Sequence, residues 1–124
     1  MVIREDQRTV AFMDINPATR RHVLVIPRRH ARDLLEIERE DLDATMAAAQ
    51  EVARRAVDRL DAAGVNLINS CGEAAWQTVF HFHIHVIPRY TGDGFSLTFP
   101  PSYETPPSRA QLEAIASAIH TAAH

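Results

Sequence analysis

The run Val79-Phe80-His81-Phe82-His83-Ile84-His85-Val86-Ile87 constrains this chain more than any other segment. Its period of two is that of a strand, with His81, His83 and His85 on one face and Phe80, Phe82, Ile84 and Val86 on the other. The apolar face anchors the strand in a core, so the imidazoles stand in a row on a rigid support. A lone buried histidine, the reading given to His120 or His124, is usually structural. Three on one face are hard to explain as packing, because each buried ring nitrogen needs a hydrogen-bond partner.

The rest of the chain supplies a setting for such a strand. Val10–Met13 is a short apolar run leading into an Asp14-Ile15-Asn16-Pro17 turn. His22–Ile26 is nearly continuously apolar and stops at Pro27, which predicts a central strand covered on both faces. The spacing of Leu42, Met46, Ala49, Ala53, Ala56 and Leu60 predicts a long helix from about Glu38 to Ala63, with Gly64 as its stop. Val65–Asn69 and Val79–Ile87 read as strands separated by a polar turn containing Gly72. Residues 91–107 form an irregular segment. Ser108-Arg109-Ala110-Gln111 has the form of a capping box opening a final helix, about 108–121. Strands with one long helix and no regular βαβ alternation predict a single α+β domain, residues 1–124, with a mostly antiparallel sheet.

Composition narrows the chemistry. All thirteen basic residues are arginine, which excludes lysine Schiff bases and a Walker A loop. The four glycines form no G-x-G-x-x-G dinucleotide motif. A net charge of −3 gives no global field for nucleic acid or anionic lipid. Cys71 is the single cysteine, so there is neither an internal disulfide nor a C-x-x-C zinc site. The N-terminus becomes charged at once, and no apolar run approaches the roughly 20 residues that cross a bilayer. These features predict a soluble cytoplasmic protein with neither nucleic-acid nor membrane partners.

Two chemistries fit three histidines on one strand. Same-face positions lie about 6.6 Å apart on a regular strand, whereas a tetrahedral zinc holds nitrogens at about 2.0–2.1 Å from the metal. Two adjacent rings meet that requirement; the third needs a bend or another role, with Asp93 or Glu73 as further ligands. Alternatively the middle imidazole attacks phosphorus while its neighbours hold the ring, bind oxygens or protonate a leaving group.

The stretch Gly72-Glu73-Ala74-Ala75-Trp76-Gln77-Thr78-Val79-Phe80-His81-Phe82-His83-Ile84-His85-Val86-Ile87-Pro88-Arg89 resembles the signature of the histidine triad (HIT) nucleotide hydrolases and transferases. Phe12–Pro17 and His22–His30 look like that family's N-terminal strands, so the resemblance covers about residues 10–90. It implies an enzyme that splits a nucleoside 5′-monophosphate from a leaving group through a nucleotidyl-histidine intermediate. By position it implies His83 as nucleophile, His81 and His85 as flanking groups, and His22 as a supporting histidine. It further implies Gln77, Thr78 and Ser70 at the phosphate, and Asp14 and Ile15 beside the nucleoside. No metal or other cofactor is implied, and the assembly implied is a homodimer whose sheets join. Substrates implied are adenosine or guanosine 5′-phosphate derivatives.

Two residues depart from the family pattern. Ser70 stands where an asparagine is common, and Asn69 would substitute only with a register shift. Trp76 stands where glycine is common, and it requires negative φ or strain. Arg28 and Arg29 read as a solvated turn, Arg54, Arg55 and Arg59 as a wet helix face, and Cys71 as a small hydrophobe. Residues 91–107 contain no cation but include Asp93 and Glu104, which favours an amine leaving group over a second, anionic nucleotide. The alternatives are a dinucleoside polyphosphate hydrolase, a nucleotide-binding module with little turnover and a zinc hydrolase.

Overall fold

A computed structural model of the chain describes residues 1–15, 21–101 and 105–120. The expected turn at Asn16-Pro17, Glu104, and His124 lie outside the described residues. Five strands are present: β1 (Val2–Glu5), β2 (Thr9–Met13), β3 (Val23–Pro27), β4 (Gly64–Ile68) and β5 (Ile84–Arg89), with helices α1 (Arg39–Leu60) and α2 (Arg109–Ile119). The sheet order is β1-β2-β3-β5-β4 and every pair is antiparallel. The expected α+β class is what the structure has.

The core lies between the sheet and α1. Ala11, Val25, Ile84 and Val86 pack from the sheet against Ala48, Ala49 and Val52 of α1, with Phe82 beside them. The buried face of α1 is rotated from the expected one. It runs through Asp41, Thr45, Ala48, Ala49, Val52 and Ala56, while Met46 and Leu60 are exposed. Small side chains on that line let the helix sit close to the sheet. The polar members are satisfied: Thr45 Oγ1 donates to the Asp41 carbonyl, and the Asp41 carboxylate pairs with Arg8 and Arg29. The helix ends at Leu60, earlier than Gly64, because Asp61 turns left-handed (φ 55°) and returns its N–H to Ala56.

Three further expectations are corrected. β1 was not expected; it is a four-residue edge strand with a bulge and little apolar signal. β3 alternates buried and half-buried positions, so α1 covers one face only. β5 begins at Ile84, not Val79. The Phe82 N–H goes to the Ala31 carbonyl, and the His81 ring takes the Pro27 carbonyl, so the backbone ladder stops there. Phe80 is consequently exposed, with the Arg32 guanidinium 5.1 Å over its ring. Helix α2 has the expected capping box, with Ser108 and Gln111 bonding each other's backbone N–H. It packs on none of the other elements. Leu112, Ile115 and Ile119 are exposed along it.

Candidate active site

The site is built where β5 begins. Ile84 and Val86 point into the core at 2% and 0% exposure, so alternation turns His85 to the opposite, open face. Just upstream, the backbone that leaves the ladder orients His83. Its Nδ1 lies 2.7 Å from the His81 carbonyl oxygen. A carbonyl only accepts, so Nδ1 carries the proton and Nε2 carries the lone pair. Asn69 Nδ2 donates to the His83 carbonyl at 2.8 Å and fixes the same peptide from the other side. The Asn69 Oδ1 is buried with no hydrogen-bond partner among the described residues.

His81 acts on His83 through its backbone. Its own ring donates from Nε2 to the Pro27 carbonyl at 2.9 Å and packs edge-on against His30, with centroids 5.1 Å apart. The three rings are therefore not a simple row. Instead His83, His85 and His22 form a continuous cluster, with successive centroids 4.9 Å apart. His22 Nε2 and His85 Nδ1 are 2.8 Å apart, so one donates to the other. His22 Nδ1 faces the Asp14 carboxylate at 3.6 Å.

Burial keeps the supporting pair neutral. It is the largest cause lowering the His85 pKa to about 4, with the neighbouring imidazoles His83 and His22 adding to it. Burial likewise lowers His22, against an opposing pull from Asp14. Near neutral pH, His22 and His85 therefore hold one proton each and share a hydrogen bond.

The loop beside the cluster is closed on itself. Gln77 N–H donates to the Gly72 carbonyl (3.1 Å), and Gly72 N–H returns to Gln77 Oε1 (2.8 Å). Gln77 Nε2 donates to the Arg32 and Val79 carbonyls, so both amide hydrogens are committed inside the protein. Gln77 is 2% exposed and holds the loop from within. Thr78 is exposed and Ser70 half-buried, and neither hydroxyl has a hydrogen-bond partner among the described residues. Gly72 at φ 91° and Trp76 at φ 73° make the loop's two left-handed corners; tryptophan takes the second at a cost of about 1–2 kcal/mol. Its side chain is 80% exposed. Ile15 stands exposed beside Asp14.

Asp14, His22 and His85 are the one trio among the described residues whose ligand atoms lie within 4.8 Å of one another. They do not fit zinc as arranged. The two nitrogens of His22 face different partners, and 2.8 Å between imidazole nitrogens is a hydrogen-bond separation. Two nitrogens about 2.0–2.1 Å from a tetrahedral ion stand wider apart than that. Arg89 is also accounted for. It pairs with Asp93 through two contacts (2.8 and 3.0 Å) and bonds Asn66 Oδ1 and the Phe95 carbonyl, which holds the 93–95 turn against the sheet. Arg28 and Arg29 form exposed ion pairs with Glu5 and Glu38. Sequence reasoning missed Arg32 and His30, which neighbour the loop only through folding, and gave Asn69 no role in this register.

Comparison with known proteins identifies the family. A model of the HIT domain matches residues 1–92. The protein hit of Bacillus subtilis is 42% identical over 94 residues, covering 75% of this chain and 65% of its own length. The chain thus spans slightly under two-thirds of that relative. A crystal structure described as a Zn-bound histidine triad family protein from Mycobacterium smegmatis is 40% identical, with TM-score 0.74, covering 94% of this chain and 86% of its own. A histidine triad nucleotide-binding protein from Candida albicans is 25% identical, with TM-score 0.79, covering 95% and 84%. With the HIT domain model matching residues 1–92, well over half of its length, the chain belongs to the HIT domain family.

Proposed function

We propose that the protein is a nucleotidyl hydrolase or transferase in which His83 Nε2 attacks the α-phosphorus of a nucleoside 5′-phosphate derivative. The observation that carries this reading is the 2.7 Å contact between His83 Nδ1 and the His81 carbonyl. It fixes the tautomer that leaves Nε2 unprotonated. As the N–P bond forms, positive charge develops on the ring, and the carbonyl dipole lies against the Nδ1–H that shares it. The bond to the leaving group breaks, and the departing atom takes a proton from solvent. Water then attacks phosphorus from the side the leaving group vacated and releases His83 and the monophosphate. Thr78 and Ser70 supply hydroxyls to the phosphate oxygens, Gln77 shapes the loop that presents them, and Asp14 and Ile15 lie on the nucleoside side.

The leaving group in this reading is an amine, as in a purine nucleoside phosphoramidase. Arg89, the cation two residues before the 91–107 segment, is held by Asp93 and is not available to a second phosphate. The runner-up, a dinucleoside polyphosphate hydrolase, has Arg32 in its favour, since its guanidinium lies over Phe80 beside the loop. The deciding measurement compares kcat/KM for adenosine 5′-phosphoramidate and diadenosine tri- or tetraphosphate on wild type and Arg32→Ala. The amine reading expects the phosphoramidate to be preferred and Arg32→Ala to leave that preference intact. A tenfold preference for the dinucleotide, lost in Arg32→Ala, would establish the runner-up. Loss of turnover on both substrates in His83→Ala tests the shared chemistry.

The same reading includes a homodimer. β4 is an edge strand carrying exposed Leu67, and Met46 and Val57 are exposed on the adjoining face of α1. Pairing β4 with its copy would extend the sheet and cover these side chains. Of a membrane, the structure says only that no helix among the described residues is long and apolar enough to cross one.

A further inference from the structure

On the α1 side of the sheet, opposite the histidine cluster, lies a cavity of about 370 Å³ that the chemistry above does not use. Its walls are apolar: Met13 and Val23 from the sheet, and Val52, Ala56 and Leu60 from α1. Its mouth carries three guanidinium groups, Arg21, Arg55 and Arg59, and no carboxylate among its described lining residues. Two of these cations, Arg21 and Arg59, have no carboxylate partner among the described residues. Arg55 pairs with Glu51, which Arg4 shares at 2.6 Å while also pairing with Asp6. Arg21 is held 5.0 Å over the Tyr90 ring, and that phenol is in turn anchored to the Leu60 carbonyl at 2.9 Å. Arg59 has no ion-pair or hydrogen-bond partner among the described residues. Its place in the last turn of α1 suits the helix dipole, but that reason does not extend to Arg21.

An apolar pocket of this size with uncompensated cations at its mouth matches a ligand with an apolar body and an anionic head. We propose that it binds a medium-chain carboxylate, with the hydrocarbon between α1 and the sheet and the carboxylate between Arg21, Arg55 and Arg59. Guanidinium groups suit a carboxylate because they offer paired, coplanar donors. The site faces away from His83 and His85, so its occupancy does not depend on the nucleotidyl chemistry.

The test is a titration of the full chain with octanoate, following the backbone amides of Val23, Val52 and Ala56 by NMR. Acetate, 1-octanol and octylamine serve as head-only, neutral and cationic controls. The proposal expects saturable one-to-one binding by octanoate, with each control at least about tenfold weaker. Arg21→Gln and Arg59→Gln change exposed side chains outside the core, and each should weaken octanoate at least about threefold. Shifts that do not saturate, equal binding of 1-octanol, or unchanged affinity in both variants would overturn it.

Discussion

His83 Nδ1 lies 2.7 Å from the carbonyl oxygen of His81, two residues earlier in the chain. A side chain that bonds so close a backbone carbonyl is oriented by the local turn rather than by a distant partner. That turn exists because the Phe82 N–H bonds Ala31 and the His81 ring bonds Pro27, which takes the backbone out of the sheet just before His83. The same departure from strand geometry therefore fixes both the position and the tautomer of the His83 ring.

The His22–His85 pair predicts a pH-dependent stability. Both folded-state pKa values are depressed, His85 to about 4, below the unfolded value near 6.5. The unfolded chain then binds more protons between those values, so stability is full above pH 6.5 and falls as pH drops toward 4. The loss for His85, discounted for its partial exposure and solvent screening, should be roughly 2 kcal/mol. Urea midpoints measured from pH 7 to 4 should show this fall in wild type and a shallower one in His85→Asn. Parallel curves for the two proteins would contradict the assignment.

Much of this site was legible in the sequence, and the rest was hidden for physical reasons. Alternation from Ile84 to Val86 identified the strand and its buried face, because core packing enforces period two there. The same pattern misled from Val79 to Phe82, where a ring-to-backbone bond competes with the ladder and no residue count reveals it. Gln77 was singled out by its position in a family pattern. That its amide is consumed internally depends on Arg32, 45 residues away. The extent of α1 was legible, but its face was not, since alanines and Thr45 compete weakly with Met46 and Leu60 in any hydrophobic pattern.

The left-handed Trp76 predicts an unusual substitution series. Glycine there removes the conformational cost but adds freedom to the unfolded chain, so Trp76→Gly should change stability by less than about 1 kcal/mol. Trp76→Val, β-branched and poorly suited to positive φ, should lose roughly 1–2 kcal/mol although the site is exposed. Equal stability of the two variants by chemical denaturation would show that the corner carries no strain.

The poor fit of Asp14, His22 and His85 to a tetrahedral ion predicts metal-independent turnover. Activity should persist in excess chelator. Stoichiometric zinc in the purified protein, with activity lost on stripping and restored on refilling, would overturn the histidine-nucleophile account.

Scattering tests the proposed assembly. A dimer through β4 and α1 should give a mass near twice 13.9 kDa in solution, and Leu67→Arg should lower it. A fully active monomer at high micromolar concentration would contradict the joined-sheet arrangement.

The most direct test of the central claim is to catch the bond it requires. Wild-type protein mixed with a phosphorus-labelled adenosine 5′-phosphoramidate, quenched in base within the first turnover and digested, should carry label on His83 at Nε2. His83→Ala should carry none, and its turnover should fall by several orders of magnitude while nucleotide affinity stays within about tenfold. Label on His81 or His85, or a His83→Ala protein retaining a tenth of wild-type activity, would contradict it.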